Sequence, residues 1–504
     1  MSLRALASET AIYGLSSILG RAAYFFLTPL YTSVFSEADY GVQTQVFAVI
    51  GMLLVLATLR LDVAYFRHVK DAPDERLLFA TSWLTTATVG GALGLALLGL
   101  SPSLAAWFGF PRFPWVFALG GSILLFDALA ELPLARLRMT GRPWRFAAVR
   151  LSGIAVNIGL NVLWLYVLPR WPGAPAWLAT PFGGITYIFL ATLASSVVAF
   201  AMLSPELRGI PWRVDRALLG RSLAFSLPLV AVGFSFIVNE TFDRLIFPFA
   251  WPGGARESEA LLGIYAGNYK LAMLLALFTQ AFRYGAEPFF FREAGELGAQ
   301  AKYARVAEYF LVAALLGALA VTLFLPVLGR QFLGRVSYRE ALDVVPVLLA
   351  ANLCLGMYYN FAVWYKVTDA TRFGTYISVG GAAATVVLNL LLIPRFGFYG
   401  CAWATLACYG GMMVATYVLG QRRYPVPYAL GRMGAYALGA VALGFAGWFA
   451  SPYVTGEDVV GLAVDGAPPA AWAASVGLGV ALLAVFGGAA FVAERRRSAA
   501  ADRG

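Results

Sequence analysis

The sequence predicts an all-α integral membrane protein of about 14 transmembrane helices: two pseudo-symmetric six-helix lobes around a central cavity, plus two C-terminal helices. Three observations predict it. Hydrophobic residues make up 60% of the 504 residues and charged residues only 13%, whereas a soluble domain is about half apolar and about a quarter charged. Apolar stretches of about 20 residues, enough to cross a bilayer, recur along the whole chain. Basic residues gather in every second loop, as they do on the cytoplasmic side of membrane proteins.

Taken in order, the predicted spans are 10–34, 40–62, 77–100, 113–135, 146–169, 181–203 and 222–247, then 261–282, 306–328, 341–365, 373–393, 400–420, 433–452 and 470–492. The first stretch is too long for the apolar region of a signal peptide and lacks a clean cleavage site. Pro133, Pro228 and Pro346 fall inside spans, where proline kinks a membrane helix without ending it. No connecting loop exceeds about 25 residues, so a soluble catalytic domain is not expected and the protein reads as a non-enzyme. The implied division is 1–210 for an N-lobe (helices 1–6), 211–425 for a C-lobe (helices 7–12), 426–492 for helices 13–14 and 493–504 for a cytoplasmic tail.

The net charge of +10 is a topology signal. Arg67, Lys70 and Arg76; Arg136, Arg138, Arg142 and Arg145; and Arg208, Arg213, Arg216 and Arg221 occupy alternate loops, and the pattern persists to Arg495, Arg496 and Arg497. With both termini inside, about 25 of the 37 basic residues face the cytoplasm. The outer loop carrying Arg330, Arg335 and Arg339 is the exception. This placement argues against a nucleic-acid partner. Three cysteines in apolar segments (Cys354, Cys401, Cys408) and one histidine, His68 in a loop, give no metal-ligand spacing. No phosphate-binding lysine loop is present. No cofactor is therefore expected.

An internal repeat is visible. Glu37-Ala38-Asp39-Tyr40-Gly41-Val42 opens the second span and Glu259-Ala260-Leu261-Leu262-Gly263-Ile264 opens the eighth. Asn161 to Pro169-Arg170 echoes Asn389 to Pro394-Arg395. Repeats of this kind build pseudo-symmetric transporters.

Ionisable groups inside a bilayer cost several kcal/mol and usually face a cavity. Arg21 lies mid-way along the first span, on a polar stripe with Gly14, Ser17, Tyr24 and Thr28. Arg60 and Asp62 close the second span, near enough to the surface to snorkel. Asn239, Glu240, Asp243 and Arg244 sit in the seventh, where Glu240 and Arg244 have the spacing of an intrahelical ion pair. Lys270 lies about 13 Å into the eighth. Asp127 and Glu131 share one face of the fourth, within reach of Arg136 and Arg138. Arg21, Arg60, Arg244 and Lys270, with Asn239 and Tyr24, thus predict a cationic cavity suited to an anionic ligand such as a phosphate. Glu240, Asp243, Asp127, Glu131 and Asp62 are the candidate ion-coupling carboxylates. The Phe289-Phe290-Phe291-Arg292 run reads as an interfacial anchor, and the glycines from Gly51 to Gly109 as sites of close helix packing.

Tyr13-Gly14-Leu15-Ser16-Ser17-Ile18-Leu19-Gly20-Arg21, then Thr28-Pro29-Leu30-Tyr31, Asp39-Tyr40-Gly41 and the late Pro394-Arg395-Phe396-Gly397-Phe398-Tyr399-Gly400 segment resemble bacterial polysaccharide-biosynthesis flippases of the Wzx type. These belong to the multidrug/oligosaccharidyl-lipid/polysaccharide exporter superfamily. The resemblance implies a V-shaped cavity lined by helices 1, 2, 7 and 8, alternating access, and a lipid-linked (undecaprenyl-diphosphate) oligosaccharide substrate flipped from the inner to the outer leaflet of the cytoplasmic membrane. It also implies drive by an ion gradient, H+ or Na+, and membrane lipid and the polysaccharide polymerase machinery as partners. The rival within the superfamily is a cation-coupled drug or metabolite antiporter.

Overall fold

A computed structural model describes residues 19–20, 22–173, 184–455, 459–463 and 468–501. Among them there is no β-strand, and 13 segments are long and apolar enough to cross a membrane. The helices are α1 (Thr28–Val34), α2 (Glu37–Thr58), α3 (Leu61–His68), α4 (Glu75–Gly99), α5 (Ser101–Trp107), α6 (Val116–Met139), α7 (Pro143–Val162), α8 (Thr186–Leu203), α9 (Arg216–Ala250) and α10 (Ala255–Glu293). They continue with α11 (Ala299–Leu323), α12 (Leu325–Phe332), α13 (Val336–Arg339), α14 (Val344–Phe361), α15 (Val363–Val367), α16 (Arg372–Phe396), α17 (Phe398–Arg423), α18 (Leu430–Thr455), α19 (Val459–Ala463) and α20 (Pro469–Ala501). Residues 10–18 and 21 of the predicted first span, 10–34, lie outside the described residues.

Local chemistry sets several helix starts. Ser36, Asp74 and Asp215 each accept a backbone N–H of the first turn, from Asp39, Arg76, and Ala217 with Leu218. These are N-caps that satisfy amides the helix itself cannot. Two spans run well past their predicted limits. α9 has 35 residues and α10 has 39, about 52 and 58 Å at 1.5 Å per residue. Their ends carry Arg216, Arg221, Arg283 and Arg292, which a hydropathy window reads as loop. Within the Phe289-Phe290-Phe291-Arg292 run, Phe291 is exposed, while Phe290 is buried against Tyr303, which donates its hydroxyl proton to the Phe290 carbonyl at 2.9 Å.

The chain divides into two compact units, Met1–Gly263 with Thr385–Pro394, and Ile264–Ala384 with Arg395–Gly504. In the first, α4 packs along α6, α6 and α7 along α8, and α9 along α2, α3 and α4. Close approach of α4 and α6 centres on Gly94 and Gly121, where a methyl on either would press on the other's carbonyl oxygen. In the second, α14 packs along α17 and α11 against α14, α18 and α20. Trp364 is buried there and donates its indole N–H to the Thr416 carbonyl at 3.1 Å.

Candidate functional site

The repeat seen in the sequence is a physical contact. Gly41 of α2 and Gly263 of α10 lie face to face. A Cβ added to Gly41 would overlap the Glu259 carbonyl, and one added to Gly263 would overlap the Glu37 carbonyl. Each glycine therefore rests on the carbonyl four residues before the other, a reciprocal crossing that only glycine permits. The second echo behaves alike. Asn161 and Asn389 are both fully buried, both donate Nδ2–H to the carbonyl four residues earlier at 2.8 Å, and both keep an Oδ1 without a hydrogen-bond partner.

Beside the glycine crossing sits an ion cluster that sequence reasoning missed. Arg112, in the α5–α6 connection, reaches Glu259 Oε2 at 2.6 Å and Asp39 Oδ1 at 3.4 Å. The Glu259 side chain is 2% exposed and that of Arg112 33% exposed. Burial works against the Arg112 charge, but the two carboxylates outweigh it and raise the guanidinium's pKa above its ordinary value. The spacing between residues 39, 112 and 259 gave no signal, because the contact joins three separate elements.

The predicted second span is two helices. Leu59 and Arg60 both adopt the left-handed region, with φ of 47° and 52°, a conformation unfavourable for residues bearing a Cβ. The chain resumes as α3 and ends at His68, which is buried in a helix rather than exposed in a loop. Arg60 lies against Gly233 of α9, the distance from its Cδ to a Cβ built there being 3.7 Å, and its Nε has no hydrogen-bond partner. Asp62 does not snorkel. It is 6% exposed, and its Oδ1 has no partner.

The polar group on α9 is partly internal. Asn239 and Asp243 are buried, and Glu240 and Arg244 are half-buried. Thr385 donates its hydroxyl proton to Asn239 Oδ1 at 2.9 Å, while Asp243 Oδ1 accepts the Arg244 amide at 2.8 Å. No ion pair joins Glu240 to Arg244 among the described residues, which corrects the expected intrahelical bridge. Asp127 and Glu131 of α6 are half-buried, and Tyr24 is exposed. Arg136 pairs instead with Glu75 at 3.1 Å and donates to the Glu206 carbonyl at 2.7 Å, so it does not neutralise Asp127. Lys270 is half-buried on α10. Arg21 lies outside the described residues.

The second unit holds a cationic cluster of its own. Glu287 accepts from Lys366 at 2.6 Å and from Arg283 at 3.3 Å, and Arg283 stacks 3.9 Å over Tyr359. The exceptional basic loop is also explained in part. Arg339 is 4% exposed and donates to the carbonyls of Leu333, Gly334 and Ala463 at 2.8, 3.1 and 2.7 Å. Arg330 lies 5.1 Å over the Trp472 ring. These arginines are held by the protein.

No family model and no curated relative matches the chain. Solved structures do. A lipid II flippase, MurJ, in an inward closed conformation superposes with a TM-score of 0.70 at 10% identity, covering 94% of this chain and 97% of that one. An inward-facing multidrug-resistance MATE transporter of the MOP superfamily gives 0.60 at 16% identity, over 82% of this chain and 94% of that one. An outward-facing MATE structure gives 0.55 at 14%, over 83% and 95%. The chain is thus a multi-pass membrane protein with the two-lobed fold of MOP-superfamily transporters. These neighbours are flippases and transporters, not enzymes.

Proposed function

We propose that the protein is a flippase that carries an undecaprenyl-diphosphate-linked oligosaccharide from the inner to the outer leaflet of a bacterial cytoplasmic membrane by alternating access, with both termini cytoplasmic. The observation that carries this reading is the likeness in fold to a lipid II flippase over nearly the whole chain. Two repeat-related helices approach closely at Gly41 and Gly263, and Arg112 of the α5–α6 connection pairs with Asp39 and Glu259 beside them. The neighbours supply further support. The likeness to the lipid II flippase spans 94% of the chain and that to the inward-facing MATE transporter 82%, a difference equivalent to about two helices.

In this reading Arg21, Arg60, Arg244 and Lys270, with Asn239 and Tyr24, attract the diphosphate while the lipid tail stays in the bilayer. A proton or sodium ion taken up at one of Asp62, Asp127, Glu131, Glu240 or Asp243 drives the cycle, and the polysaccharide polymerase machinery takes the product. Deleting the gene in its host and profiling lipid-linked oligosaccharides by mass spectrometry tests it. Accumulation of a complete undecaprenyl-linked unit with loss of surface polysaccharide is expected; unchanged pools and intact polysaccharide in a host lacking a second flippase refute it. The MATE neighbours favour one alternative, a cation-coupled drug or metabolite antiporter, which drug resistance conferred on a sensitised host would reveal.

A further inference from the structure

We infer that Asp62, with the hydroxyls of Ser82, Thr86 and Ser226, forms a binding site for a monovalent alkali cation at the break between α2 and α3. The inference rests on the ion-driven flippase reading and deepens it by naming where the ion sits. Of the five candidate coupling carboxylates, Asp62 is the one that is both buried and left with an oxygen lacking any partner. Among the described residues no Lys, Arg or His forms a salt bridge with it, and the Arg60 side chain runs past Gly233. A buried carboxylate is retained only where something compensates its charge.

The surroundings supply the remaining ligands. Along α9, the Arg60–Gly233 contact and the His68–Phe225 ring contact at 5.6 Å bracket the stretch that runs beside Asp62. Ser226 lies in that stretch, fully buried, its Oγ without a partner. Along α4, a Cβ built on Gly90 meets Ala57 at 3.9 Å and the Tyr65 and Phe79 rings lie 5.8 Å apart. Those contacts bracket Ser82 and Thr86, which are also buried with unpartnered hydroxyls. Two helices packed on α3 thus present unpartnered oxygens alongside one buried carboxylate. Helical serine and threonine ordinarily bond the carbonyl four residues back; these three do not.

The break lies beside this set. Left-handed Leu59 and Arg60 end the regular ladder of α2, where the Leu56 carbonyl accepts the Leu59 N–H at 3.3 Å and the Val55 carbonyl accepts the Thr58 hydroxyl at 3.3 Å, each keeping a second lone pair. Unwound carbonyls at a helix interruption are the usual oxygen donors for sodium in transporters. An all-oxygen set suits a hard cation, and a single carboxylate balances a single positive charge.

The test is binding of radioactive sodium to the purified full-length protein in lipid nanodiscs, with potassium and choline chloride as competitors and no glycolipid present. Saturable binding displaced by unlabelled sodium or potassium but not by choline is expected, with Asp62→Asn weakening it at least about tenfold. Thr86→Val and Ser226→Ala should weaken it less, and they keep the test open should D62N not fold. Absence of alkali-specific binding in the wild type, or unchanged affinity in folded D62N, T86V and S226A, overturns the site. The glycolipid profile of the deletion strain reads flipping separately, so either idea can fail alone.

Discussion

Replacing Gly41 or Gly263 with alanine should push α2 and α10 apart where they cross. The added methyl would overlap a backbone carbonyl in either case, and a carbonyl in a helix cannot rotate away as a side chain can. Overpacking of this kind costs about 1–3 kcal/mol. Because the penalty applies only while the helices touch, it shifts the equilibrium between touching and parted helices about 5- to 150-fold. Spin labels on cysteines at Ser36 and Arg256, in a background lacking Cys354, Cys401 and Cys408, would report it as a lengthened or broadened distance distribution by double electron–electron resonance. Gly91→Ala is the control. It sits inside α4 with open space around its Cβ direction, so it should leave the distribution alone and gain up to about 1 kcal/mol of helix stability. Distributions unchanged in both G41A and G263A, with the proteins folded, would refute the argument that this crossing depends on the missing side chains.

Other outcomes follow from the same contacts. Arg112→Ala strands the buried Glu259 carboxylate and should destabilise the protein by about 1–2 kcal/mol, allowing for the third of the arginine that faces solvent. Adding Glu259→Gln should recover part of that loss in a melting assay, and a double variant no more stable than R112A would contradict the pairing. Arg339→Met removes three charge-assisted bonds to buried carbonyls, at about 2–4 kcal/mol in total. Hydrogen exchange of residues 459–463 should then accelerate, whereas unchanged protection there would show that α19 is held by something else. Arg21→Ala should abolish flipping at normal protein level, and retained transport would remove the cationic-cavity idea.

Much of the architecture was legible because a bilayer imposes one length and one polarity on each helix. The limits of α9 and α10 were not, since their polar ends look like loops when only hydropathy is read. The repeat around Gly41 and Gly263 could be seen in six letters, yet nothing in those letters said that the copies touch. The break at Leu59–Arg60 left no trace because neither residue is a glycine or proline, the usual marks of left-handed or interrupted backbone. For the same reason Asp62 seemed to be a surface residue at the end of a span. Arg339 looked like an anomaly of topology because loop counting treats every arginine as a solvated charge, and this one is bonded to three carbonyls.

The glycine crossing also bears on speed. Interlocked side chains must change rotamers before two helices can separate, and each change adds friction. At Gly41 and Gly263 backbone meets backbone, so there are no rotamers to reset. What resists separation there is the Arg112 charge cluster, and charge is weakened by dissolved salt. The rate at which α2 and α10 part there should therefore rise with ionic strength.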